Sequence, residues 1–167
     1  MFLLTAVLFL AWVYRAHRNL KALGATDLKY SPGWAIGGFF VPLLNLVRPY
    51  QVVTEIWNES GSQRRSPLGG TWKHEESSWF IGLWWSAWLL AGIFDSLGVF
   101  MVIGSNQPDQ LSVATRFLVV SDVVNAASAA LAIMVVLKIN ARQEKSNRIN
   151  ASQQGEDVGD FNSPLLR

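Results

Sequence analysis

The apolar positions gather in four runs: Met1–Tyr14, Tyr30–Val47, Ser78–Gly104 and Leu111–Leu137. They form long blocks rather than the stripe of an amphipathic helix, which places the chain in the membrane class. Ser78–Gly104 and Leu111–Leu137 are long enough, as helices, to cross a hydrocarbon core of about 30 Å. Met1–Tyr14 gives about 21 Å of helix, which is short for a crossing. Tyr30–Val47 would reach about 27 Å as one helix, but Pro42 breaks it near its middle. Ser31-Pro32-Gly33 reads as a turn or a helix start. Ala11–Gly24 carries the first helix onward, with Ala16, Leu20 and Leu23 on one apolar face and Gly24 as its stop. Arg48–Gly61 reads as an amphipathic helix opened by Pro49, with Tyr50, Val53 and Trp57 on one stripe. Gly61–Thr71 reads as a flexible loop. Lys138–Arg167 is polar, and only its start extends the preceding helix. The pattern therefore predicts an all-α, multi-pass membrane protein: about three transmembrane helices plus one re-entrant or interfacial helical segment. Residues 1–145 form the membrane domain and residues 146–167 a disordered cytoplasmic tail.

Positive charge assigns the sides. Arg15, Arg18, Lys21 and Lys29 separate the first two runs, and Arg48, Arg64, Arg65 and Lys73 separate the next two. Lys138, Arg142, Lys145 and Arg148 follow the fourth, whereas Ser105–Gln110 holds Asp109 and no Lys or Arg. Short basic connections stay cytoplasmic. Ser78–Gly104 then runs outward, Leu111–Leu137 returns, and the C-terminus is cytoplasmic. If Tyr30–Val47 crossed, one of its two basic flanks would lie outside. A dip that enters and leaves on the cytoplasmic side breaks no rule. Pro32, Gly33, Trp34, Pro42, Asn45 and Arg48 are the candidate residues of that dip, with a Pro-kinked span as the alternative.

Composition agrees. Half the residues are hydrophobic and 16% are charged, against roughly 25% in soluble domains. Eight Trp in 167 residues suit a bilayer interface. "WFIGLWWSAW" reads as an interfacial belt with lipid-facing bulk. Cysteine is absent, which removes disulfides, thiolate nucleophiles and cysteine-ligated metals. A net charge of +2, with no basic stripe, gives no support for nucleic-acid binding. No basic region precedes the first run, so it does not read as a secretory signal.

Asp95, Arg116 and Asp122 fall inside the last two runs, where each charge needs a partner. Counting from the turn brings Asp95 and Arg116 within reach of one another; alternatively Arg116 snorkels to the outer headgroups. Asp122 lies deeper, with Asn125 three residues on. It reads either as a proton- or ion-linked carboxylate or as helix packing through hydrogen bonds. Chemistry is otherwise sparse. "HEES" at His74 lacks the second histidine of a zinc-protease motif, and His17 and His74 alone make a metal cluster improbable. Glu75 and Glu76 read as caps of the next helix. No phosphate-binding glycine loop is present. No cofactor is expected.

One stretch resembles a known family. Tyr14-Arg15-Ala16, Asn19-Leu20, Leu23-Gly24, Ser31-Pro32-Gly33-Trp34, Pro42, Asn45-Leu46, Arg48-Pro49-Tyr50 and Glu55-Ile56-Trp57 resemble the signature of a bacterial membrane family, domain of unknown function 4328. The likeness covers most of the chain before the tail. It implies a multi-pass protein of the bacterial inner membrane and no activity. Members usually begin with another transmembrane helix. With the short first run, this gives the expectation of a further apolar helix upstream of Met1. The function expected is a non-enzymatic scaffold, sensor or regulatory module in the lipid bilayer, acting as a homo-oligomer or with a membrane-protein partner. The alternative is a small transporter or channel component using an intramembrane carboxylate.

Overall fold

The computed structural model describes residues 2–26, 28–61, 78–104 and 108–161. Among them every regular element is helical: α1 (Phe2–Ala22), α2 (Pro32–Gly37), α3 (Pro42–Asn45), α4 (Arg48–Glu59), α5 (Trp79–Gly104) and α6 (Pro108–Phe161). Two of them are long and apolar enough to cross a membrane: α5, and α6 over Leu111–Ser152. Only 11% and 17% of their apolar windows are buried, so they are not core helices covered by the rest of the chain. α1 does not qualify, because Arg15, Arg18 and Lys21 occupy its second half. The expected caps Glu75 and Glu76, His74, the basic residues Arg64, Arg65 and Lys73, and the turn 105–107 lie outside the described residues.

The chain divides into two compact units. One comprises Met1–Glu75 with Leu137–Arg167, the other Glu76–Val136; α6 is one helix that contributes to both.

The second unit is an antiparallel pair. α5 buries Ala91 and Gly98, and α6 buries Ala114, Ser121 and Ser128, in each case seven residues apart. Seven-residue spacing is the seam of a left-handed supercoil, and small residues let the backbones approach. Ser121 Oγ donates to the Ala91 carbonyl at 3.0 Å, and the Phe94 and Phe117 rings lie 6.1 Å apart. At Gly98 a Cβ would stand 2.7 Å from Leu118 Cδ2 and 2.9 Å from its Cγ. At Gly92 it would meet nothing within 4 Å. Gly98→Ile is therefore expected to destabilise the pair by about 2 kcal/mol, and Gly92→Ile by less than about 0.5 kcal/mol. Thermal unfolding in detergent would compare them, and equal losses would refute the tight crossing. Not all of the tryptophan bulk expected to face lipid is exposed. Trp84 and Trp85 are buried and Trp88 stacks on Trp85 at 4.7 Å, whereas Trp79 is exposed.

The first unit is held by three buried stripes. α1 contributes Val13, Ala16, His17 and Leu20; α4 contributes Pro49, Val52, Val53, Ile56 and Trp57. Both follow the i, i+3, i+4, i+7 rule for a helix face. The end of α6 contributes Ile139, Gln143 and Ser146. α1 ends as expected: Gly24 adopts φ 86°, its N–H bonds the Lys21 carbonyl, and the Ala25 N–H bonds that of Leu20. This is the Schellman arrangement, which favours glycine. The tail departs from expectation. Residues 146–161 continue α6 instead of leaving it at 145. Ser146 is buried and donates to the Ser60 carbonyl at 3.1 Å, and Arg148 pairs with Glu144 one turn back. As far as Arg148, tertiary burial and i,i+4 pairing support a helix that composition alone argues against.

Candidate functional site

Tyr30–Val47 forms a broken loop of short helices within the first unit. Ser31 caps α2, its hydroxyl accepting from the Trp34 N–H, and Pro32 takes the first position. The helix stops at Gly37–Gly38, where a Cβ on Gly38 would press on the Arg48 stem at 3.0 Å. After a turn, exposed Pro42 opens the one-turn helix α3, which ends at half-buried Asn45. Gly33 borders open space. The two ends of the segment meet. Tyr30 Oη donates to Gln51 Oε1 at 2.8 Å, and the Arg48 guanidinium lies over the Tyr30 ring at 4.6 Å. A crossing would separate such ends by roughly 30 Å. The segment is thus two short helices whose flanks lie together, not one continuous kinked helix. At the base, Glu55 lies against His17; at the tip, the Phe39 ring lies 6.4 Å from that of Phe9. Those levels differ by about 12 Å along α1, at 1.5 Å per residue. Trp34, Phe40, Leu43 and Leu46 are 63%, 72%, 80% and 51% exposed, and Leu3, Leu4, Val7 and Leu8 on α1 are exposed too. So much open apolar surface calls for a cover.

The opposite half of this unit is polar and buried. His17 is fully buried, with Nε2 3.2 Å from Glu55 Oε2. Glu55 Oε1 accepts the Lys29 backbone N–H. Of the two imidazole nitrogens, Nε2 is the one that faces the carboxylate. Nδ1 has no partner among the described residues. Gln143 is the second node: Nε2 donates to the Ala16 carbonyl at 3.0 Å and to Ser60 Oγ at 3.1 Å, while Oε1 faces Asn19 Nδ2 at 3.4 Å. One amide thereby ties α1, α4 and α6 together. Arg142 lies over the Trp57 ring at 4.3 Å. Between α1 and the end of α6, a groove of about 380 Å³ is walled by Leu8, Trp12, Arg15 and Asn140, among others.

None of His17, Gln143 or Ser146 was singled out by sequence as a site residue. A signal existed for two of them. His17 falls on the stripe of Val13, Ala16 and Leu20, and Gln143 lies eight residues beyond Val135, on the same face as Ile139 one turn before it. The four polar residues expected inside the membrane stand differently. Asp95, Arg116, Asp122 and Asn125 are all exposed on α5 and α6. No ion pair joins Asp95 to Arg116 among the described residues, and Asn125 Nδ2 reaches Ser121 Oγ at 3.4 Å. The structure does not bring these residues into one cluster.

Among the described residues these features define an all-helical arrangement with two helices long and apolar enough to cross a membrane and a broken, apolar excursion whose ends are clasped together. The chain belongs to the family described as Domain of unknown function (DUF4328), whose model matches residues 1–141. No curated protein and no solved structure matches it.

Proposed function

We propose that the chain is an integral protein of the bacterial cell membrane and acts there as a non-enzymatic scaffold or regulatory module. In this reading α5 and the apolar part of α6 cross the bilayer, α1 is a third helix inserted through its apolar half, and Tyr30–Val47 is a re-entrant dip from the cytoplasmic side. One observation carries it: the polar end of α6 is fastened by Ile139, Gln143 and Ser146, leaving Lys138, Glu144, Lys145, Asn147 and Arg148 exposed. A charged helix face held in place beside a membrane is suited to receiving a partner, which preorganisation makes cheaper to bind. A photoreactive residue in place of Asn147 in the full chain is expected to give one discrete cross-linked protein species in cells. Cross-links to lipid alone, or none, would reject the scaffold.

A second reading is favoured by exposed Asp122, with Asn125 one turn on. A carboxylate on the outside of a crossing helix would meet a second copy, and an assembly could then conduct through it. Ion flux in proteoliposomes that is abolished by Asp122→Asn would favour this transporter reading over the scaffold.

A further inference from the structure

We propose that the groove between α1 and the end of α6 binds one anionic phospholipid, which rests on the membrane reading above. The wall supplied by α1 is ordered as a lipid is ordered. Leu8 and Ala11 come first, then the Trp12 ring, then Arg15 and Asn19. From Leu8 to Asn19 this is about 16 Å of helix, from apolar to polar. Trp at the changeover is the usual marker of the interface.

The polar end is prepared for an anion. Trp12 Nε1 donates to Asn140 Oδ1 at 3.0 Å, which fixes both groups and leaves the Asn140 amide nitrogen without a partner among the described residues. Arg15 likewise has no hydrogen bond or ion pair there, and no carboxylate lines the groove. Other arginines of this unit are engaged: Arg48 on Tyr30, Arg142 on Trp57 and Arg148 with Glu144. A guanidinium can grip a phosphate through two parallel N–H bonds. The phosphate sits against Arg15 and Asn140, and the start of an acyl chain lies along Ala11 and Leu8. About 380 Å³ accommodates a headgroup and the first methylenes, the rest of the chains staying in the bilayer.

The test uses the full chain in neutral detergent, titrated with dioleoylphosphatidylglycerol, dioleoylphosphatidylcholine or inorganic phosphate. Melting temperature and bound lipid by native mass spectrometry are the readouts. Phosphatidylglycerol is expected to raise the melting temperature with one retained lipid, and the other two are not. Arg15→Gln should weaken that binding at least tenfold. Asn140→Asp should do the same while keeping an acceptor for Trp12 Nε1, so a folding defect in one variant does not decide the matter. Lys21→Gln, on the exposed face outside the groove, should leave affinity unchanged. Equal losses in Lys21→Gln would overturn the site in favour of diffuse surface charge. Saturation by phosphate alone would overturn it in favour of a small-anion site, and equal binding of phosphatidylcholine would remove the role of Arg15. Carbonate extraction of cell membranes tests the membrane reading separately, so either can fail alone.

Discussion

Gln143→Glu is expected to cost the first unit about 3 kcal/mol, the range for stranding a buried charge. The melting temperature should fall by roughly 6–12 °C for a chain of this size. Gln143 is 6% exposed and its amide nitrogen faces two acceptors, the Ala16 carbonyl and Ser60 Oγ. A carboxylate there opposes oxygen to oxygen. Ser60 could relieve one contact only by turning its hydroxyl away from the Ile56 carbonyl, which it now reaches at 2.6 Å. The Ala16 carbonyl has no such freedom. Gln143→Met, similar in volume, should cost only about 1 kcal/mol. Ser60 keeps its own donor bond, and the Ala16 carbonyl keeps its place in the helix ladder. Thermal unfolding followed by circular dichroism would rank the three proteins. A Gln143→Glu protein that melts with the parent would show that the node does not hold the unit together.

The same residue shows where sequence reading stops. Local chemistry was legible: the Gly24 stop, the Ser31 cap with Pro32, the break before Pro42, and the Pro49 start of α4 all form as their residues require. Each depends on neighbours in sequence. Gln143 and Ser146 do not. Their burial depends on oxygen atoms of Ala16 and Ser60, more than eighty residues away in sequence. A polar composition therefore read as a free tail. Asp95 and Arg116 fail for another reason. Counting residues from the turn fixes the level of each side chain along the pair. It does not fix the face, which turns by about 100° per residue in an α-helix. The break in Tyr30–Val47 was legible from Pro42 and the glycines before it, but the clasp of its flanks by Tyr30, Arg48 and Gln51 is tertiary.

That clasp makes the last expected result all-or-none. The chain has no cysteine, so single Cys substitutions can be read with a membrane-impermeant thiol reagent without background. Thr26 and Asn58 are exposed just outside the two ends of the excursion, Phe40 is 72% exposed near its tip, and Asp109 is exposed at the start of α6. Thr26→Cys and Asn58→Cys should be labelled only after permeabilisation, and Asp109→Cys already in intact cells, each contrast exceeding about tenfold. Phe40→Cys should resist in both conditions and react once detergent removes the bilayer. The shared behaviour of Thr26 and Asn58 follows from Tyr30 Oη standing 2.8 Å from Gln51 Oε1 and Arg48 lying on the Tyr30 ring, which hold both flanks on one side. The side itself follows from the Lys and Arg of those flanks, which favour the cytoplasm. Labelling of Thr26→Cys and Asn58→Cys from opposite sides would break the clasp and turn the segment into a span. Ready labelling of Phe40→Cys in permeabilised cells would instead leave the clasp intact and lift the excursion out of the bilayer onto a protein partner.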